Sequence, residues 1–160
     1  MGSIRDEIKQ TRPFASPAAE AVVTLLRTAD HVRAVLSEVV APRGITLQQY
    51  NVLRILRGAG ADGLPTLEIA QRMIESSPGI TRLLDRLEAK SLVARRRCPT
   101  DRRQVLCYAS EAALALLASV EKPLAEGTAR LLLPLGARRT SELIRLLDAV
   151  RSRQKKETRS

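Results

Sequence analysis

What is scarce in this chain narrows its chemistry first. The aromatic side chains are Phe14, Tyr50 and Tyr108, with no tryptophan, too few to build the stacking platform on which single-stranded nucleic acids are held. His31 is the one histidine, so a metal site or nucleophile–base relay built on imidazole has nothing else to draw on, and no nucleophile motif lies near it. Paired carboxylates and a phosphate-cradling glycine loop are also missing, so no catalytic residue, metal or cofactor is expected and an enzyme is disfavoured. Cys98 and Cys107 share one short segment without metal-ligand spacing and read as free thiols. No apolar run approaches the roughly 18–20 residues that span a bilayer. The polar stretch Met1–Phe14 has no signal-peptide core. The expectation is a soluble, cytoplasmic protein with no membrane partner.

Acid is scarce as well: 17 Asp and Glu stand against 27 Lys and Arg, a net charge of +10 over 160 residues. Such an excess draws a chain toward polyanions, although solubility alone could explain it. With so few aromatics, duplex nucleic acid fits better than a single strand. The length suits one core, and an apolar content dominated by Leu, Ala and Val favours helices.

From Pro17 to Val40, Val22, Leu25, Ala29, Val32, Leu36 and Val39 recur at steps of three and four, a helical stripe fit for a core or a partner helix. Pro42-Arg43-Gly44 ends it. Thr46 and Gln49 form a capping box for a helix running to about Arg57. A glycine-punctuated loop, Gly58–Gly63, follows, and Thr66 is expected to cap a short helix carrying Leu67, Ile69, Ala70 and Met73. Ser77 as N-cap and Pro78 at N1 open the next helix, with Ile80, Leu83, Leu84 and Leu87 on one face and Thr81, Arg82, Asp85 and Arg86 on the other. Two short helices across a tight turn make a helix-turn-helix, whose second helix enters the major groove.

Leu92–Arg97 and Gln104–Ala109 are strand-like, joined by a loop through Pro99 and Asp101. A basic hairpin directly after a helix-turn-helix is a wing, and Arg95, Arg96, Arg97, Arg102 and Arg103 are expected beside DNA. A long helix follows Ser110, which Pro123 should kink or end. A last helix starts near Arg138, and the basic tail Arg151–Ser160 should fray at its end.

Between Thr46 and Ser110 the sequence resembles the MarR family of regulators. Leu47–Leu53 resembles that family's second helix, Ser77–Glu88 is similar to its recognition helix, and Asp101-Arg102-Arg103 matches the Asp-x-Arg signature of its wing. Ser91 stands where the family commonly has glycine, and Ala109-Ser110 replaces a usual Leu-Thr. The resemblance implies a mainly α fold with a small β wing: a winged helix-turn-helix lobe plus a helical dimerisation region. The organisation it gives is an arm at 1–15, a first dimerisation helix at 16–45, the DNA-binding lobe at 46–110, dimerisation helices at 111–152 and a basic tail at 153–160.

A homodimer places two recognition helices on one face of DNA, matching a pseudo-palindromic site. The expected function is a sequence-specific transcription regulator, a repressor released by a small ligand. A basic winged-helix module binding RNA or a protein is the alternative. DNA contacts are expected from Ser77, Pro78, Gly79, Thr81, Arg82, Arg86, Asp101, Arg102 and Arg103. Arg82 is placed for a bidentate guanine contact, against a surface pairing with Asp85 or Glu88. Arg86 suits phosphate, and Arg103 suits the minor groove with Asp101 holding it, against a local turn salt bridge. An anionic or phenolic effector would meet His31, Tyr50 and Arg54, which could equally be ordinary interface residues. Cys98 beside three arginines has the surroundings of an oxidant sensor, and a Cys98–Cys107 disulfide in the wing stays open. The family's peroxide sensors carry their cysteine in the first helix, which here has none.

Overall fold

The computed structural model describes residues 2–75, 79–98, 101 and 103–157, with side chains as far as residue 152. They divide into two compact units, residues 1–124 and 125–160.

The first unit opens with a helical turn, α1 (Ile4–Glu7), inside what the sequence suggested was an arm. Ser3 and Asp6 cap it reciprocally, and their hydrogen bonds hold the Asp6 carboxyl below its ordinary value. Glu7 lies 3.8 Å from Arg27 on the long helix α2 (Pro17–Val40). There Ser16 Oγ accepts the Ala19 N–H at 3.2 Å with Pro17 at the first position, a favourable helix start. A 3₁₀ turn at Ala41–Arg43 and Gly44 at φ 71° end it as expected. The Thr46–Gln49 capping box forms in both directions, at 3.2 and 3.1 Å, and opens α3 (Leu47–Ala59). The glycine segment is more ordered than expected, because α3 continues through Gly58 and a 3₁₀ turn follows at Gly60–Asp62.

Leu64–Pro65 forms β1, a strand that two residues of sequence did not announce. Thr66 is not the cap of α4 (Thr66–Arg72). Pro65, extended at ψ 151°, occupies that position, and the Thr66 side chain hydrogen-bonds Cys107 instead. The next helix, α5 (Ile80–Ala89), starts later than the Ser77-Pro78 signal suggested. Its N-cap is Gly79, with no side-chain capping bond, and the Gly79 carbonyl takes the Leu83 N–H at 3.0 Å.

The end of α5 carries the departure noted at Ser91. The Leu92 N–H reaches the Leu87 carbonyl at 2.9 Å and the Ser91 N–H reaches that of Glu88 at 2.8 Å, a Schellman closure with Ser91 itself at φ 56°. Leu87 and Leu92, both buried, supply the apolar contact that accompanies such a cap. β2 (Val93–Arg97) and β3 (Val105–Ala109) pair antiparallel, with Arg95 opposite Cys107, and β1 joins β3 to give the order β1-β3-β2. Gly63 leads into β1 at φ 64°. A Cβ there would lie 2.5 Å from the Tyr108 ring, so both backbone and contact demand glycine.

The core gathers Val40, Val52, Leu53, Leu56, Ile69, Leu84, Leu87, Val93 and Cys107 with Ala113 and Leu117 of α6 (Glu111–Leu132). Ser110 caps α6 through the Ala113 N–H at 3.1 Å and donates to the Ser91 carbonyl at 2.8 Å, tying the wing's exit to the end of α5. Of the two outcomes expected at Pro123, a kink or an end, the helix does not end there but continues to Leu132. Proline removes one bond to the Ser119 carbonyl. Both residues are exposed, so water can replace that bond while Leu117, Val120 and Leu124 stay packed.

In the second unit, Gly136 at φ 66° opens α7 (Gly136–Glu157). Thr140 and Ser141 donate to carbonyls one turn back, at 2.8 and 3.1 Å. The helix runs to Glu157, five residues into the segment 153–160 read from the sequence as a basic tail. Arg, Gln, Lys and Glu are good helix formers, and cations favour a helix C-terminus.

Candidate nucleic-acid interface

The apolar face of α5 is buried through Leu83, Leu84 and Leu87, which turns Thr81, Arg82, Asp85, Arg86 and Glu88 outward. Three of these outward residues are engaged by the wing. Arg95 of β2 donates to Asp85 Oδ1 at 2.7 Å and to the Thr81 carbonyl at 3.4 Å, and lies 3.2 Å from Glu88 Oε2. Burial opposes the charge on Arg95, but the Asp85 hydrogen bond and the Glu88 and Asp85 charges outweigh it, raising the guanidinium above its ordinary value. Arg95 is thus a strut between strand and recognition helix, not one of the free wing cations expected from the sequence. Strand alternation carried the signal: Arg95 shares its face with Val93, which is buried, and so points inward.

Because Asp85 and Glu88 are taken by Arg95, neither pairs with Arg82. Among the described residues Arg82 and Arg86 form no ion pair and stand exposed on α5. Gly79 and Thr81 lie at its first turn, and Ser77 and Pro78 fall outside the described residues.

At the wing, Arg97 and Arg103 are exposed, and the Arg96 guanidinium lies 5.4 Å from the centre of the Tyr108 ring. Arg102 lies outside the described residues. Asp101 holds the backbone of this loop and not the Arg103 guanidinium: its Oδ1 accepts the Arg103 N–H at 3.0 Å and its carbonyl accepts the Gln104 N–H at 3.0 Å. The carboxylate shapes the turn and leaves the Arg103 side chain outside any ion pair among the described residues, which removes the alternative of a local salt bridge.

The two cysteines have different surroundings. Cys107 is fully buried, and burial pushes its thiol up despite the Thr66 hydrogen bond and the Arg95 charge, the opposite of an activated thiolate. Cys98 lies three residues beyond Arg95, the partner of Cys107 in the ladder. At strand spacing that separates them by about 10 Å, beyond the reach of a disulfide. The wing disulfide is therefore excluded in this register. The three expected effector residues are not joined by any hydrogen bond or ion pair among the described residues. His31 and Arg54 are exposed on α2 and α3, and Tyr50 is half-buried against the core.

No helix among the described residues is long and apolar enough to cross a membrane. Two short helices packed on the core by one face each, an exposed cationic face on the second and a basic hairpin fastened to it define a winged helix-turn-helix protein, mainly α with a small antiparallel sheet. The sequence profile of the MarR family matches residues 45–105. A MarR transcription factor from Planctomyces limnophilus is 40% identical, with 86% of this chain and 99% of that one covered and a TM-score of 0.65. The chain belongs to the MarR family. A cysteine-to-serine MarR variant from E. coli, solved with operator DNA, is 26% identical over 79% of this chain and 90% of that one, at a TM-score of 0.73. The S. aureus MepR–DNA complex, 22% identical over 81% of this chain and 95% of that one, shares the fold at a TM-score of 0.73. A search of curated protein sequences gave no match.

Proposed function

We propose that this MarR-family protein is a homodimeric, sequence-specific regulator of transcription that binds a pseudo-palindromic duplex and, acting as a repressor, is released by a small anionic or phenolic effector. The observation that carries the reading is the division of charge on α5. Arg95 occupies Asp85 and Glu88, leaving Thr81, Arg82 and Arg86 presented without a competing carboxylate, beside the exposed Arg97 and Arg103 of the wing. Arg82 reads a base edge, Arg86 meets phosphate and Arg103 enters the minor groove. Gly79 brings backbone close to the duplex, and Ser77, Pro78, Asp101 and Arg102 complete the footprint. The related E. coli protein solved with operator DNA supports duplex DNA as the ligand.

Dimerisation is supported by apolar side chains without cover. Val22 and Leu26 on α2 are 57% and 64% exposed, and Ile144, Leu146 and Val150 on α7 are 55–61% exposed, more than isolated surface apolars account for. The effector meets His31, Tyr50 and Arg54, and it loosens DNA only if it favours one arrangement of the two lobes over the other.

Selection of bound fragments from random duplexes, with structured RNA as competitor, tests the reading. A single enriched class with two related half-sites is expected. Equal retention of all duplexes, or preferential retention of RNA, refutes it and leaves the RNA-binding alternative.

A further inference from the structure

Glu75 follows α4 and precedes the recognition helix, a position where negative charge would ordinarily work against an approaching phosphate backbone. Its carboxylate is not left to solvent. Oε1 accepts the Nε–H of Arg33 on α2, and Oε2 accepts the Nε2–H of Gln48 in the first turn of α3 at 3.4 Å. Arg33 also lies 3.7 Å from Asp30, Asp30 lies 4.0 Å from Arg27, and Arg27 lies 3.8 Å from Glu7. A row of alternating charges along α2 therefore ends on the segment that leads into α5.

We infer that Glu75 is a positioning residue for DNA readout. Through Arg33 and Gln48 the chain at Glu75, just past α4, is held to α2 and α3, and so Glu75 sets the direction in which Thr81 and Arg82 are offered to the groove. The inference rests on the DNA-binding reading above. Two anchors on different helices fix both the place and the orientation of one carboxylate, which a single ion pair does not. Arg33 and Glu75 are 48% and 37% exposed, so solvent screening leaves the bridge little weight in global stability. Its effect is local: it orders the start of the recognition helix, where no side chain caps Gly79. The same bridge neutralises an acid on the approach to α5.

The sign of one substitution decides the matter. If Glu75 positions the helix, Glu75→Ala in the full chain lowers operator affinity about 3- to 10-fold for a dimer on two half-sites. It also narrows the ratio between operator and scrambled duplex, speeds amide exchange at residues 80–84, and barely moves the urea midpoint. Arg33→Glu does the same, and the charge swap Arg33→Glu with Glu75→Arg restores the ratio and the slow exchange. If Glu75 merely repels phosphate, Glu75→Ala tightens binding to both duplexes and leaves exchange unchanged, which overturns the inference. A wild-type protein that prefers no duplex defeats the DNA-binding reading instead. Exchange at residues 80–84 in the free protein then still decides whether Glu75 orders this helix, and unchanged exchange in Glu75→Ala overturns that.

Discussion

Replacing Arg95 with methionine separates a strut from a DNA contact. Methionine keeps an unbranched apolar stem beside β2 and deletes the guanidinium. The Asp85 and Glu88 carboxylates and the Thr81 carbonyl each lose their partner on the wing. The Arg95 side chain is only 24% exposed, whereas those of Asp85 and Glu88 are 54% and 44% exposed. Water can therefore resolvate the carboxylates, and no charge is left stranded in the core. Charge-assisted hydrogen bonds contribute about 1.5–3 kcal/mol when shielded, and exposed pairs about 0.2–1 kcal/mol, so this partly screened set contributes about 1–2 kcal/mol. Urea unfolding of Arg95→Met should show a lower midpoint of that size with an unchanged slope. DNA affinity should fall further than stability alone requires, because two freed carboxylates then face the duplex from the recognition helix. An unchanged urea midpoint, with affinity lost only through a smaller salt dependence, would show that Arg95 contacts phosphate and would refute the strut.

Ser91→Gly should stabilise the protein by about 0.5–1 kcal/mol, because an L-residue pays for φ 56° and the Ser91 contact with Ser110 uses only its backbone carbonyl; a lower urea midpoint would show that the serine side chain contributes. Gly63→Ala meets both a positive φ and the Tyr108 ring, and should cost about 2 kcal/mol or more in the same assay. Burial raises the Cys107 thiol above its ordinary 9.0. Between that value and the raised one the unfolded chain has lost a proton the folded chain keeps, so Cys107 lowers stability as pH rises, by at most about 1.4 kcal/mol per pH unit. Cys107→Ala should flatten that part of the alkaline stability profile, and an identical slope in both proteins would contradict the assignment.

Much of this fold was legible because local signals agreed with tertiary ones. The Thr46–Gln49 box placed α3 with its cap, and the Leu83–Leu84–Leu87 face placed α5 by its burial. Where the signals diverged, partners distant in sequence decided. Thr66 looked like a cap until Cys107, brought near by the β1–β3 pairing, took its hydroxyl. Pro123 reads as a kink or an end, and α6 continues past it with Leu117 and Leu124 packed on the core. The site shows the same pattern. The cationic face of α5 follows from its periodicity, whereas Arg95 was grouped with the free cations because charge clustering says nothing of which side of a strand a residue occupies. Glu75 left no trace in sequence, since Arg33 and Gln48 are 42 and 27 residues away.

The most direct test of the account compares wild type, Arg82→Ala and Arg103→Ala on a selected operator and on its scrambled duplex over a salt series. Loss of a bidentate base contact costs about 1–3 kcal/mol at each half-site and relaxes preference at one position, so Arg82→Ala should lower the operator-to-scrambled ratio. A wing cation reads groove width and backbone charge, so Arg103→Ala should weaken both duplexes alike and reduce the salt slope by roughly one unit per half-site. An unchanged ratio with Arg82→Ala, together with unchanged binding by Arg103→Ala, would show that this helix and wing do not read DNA.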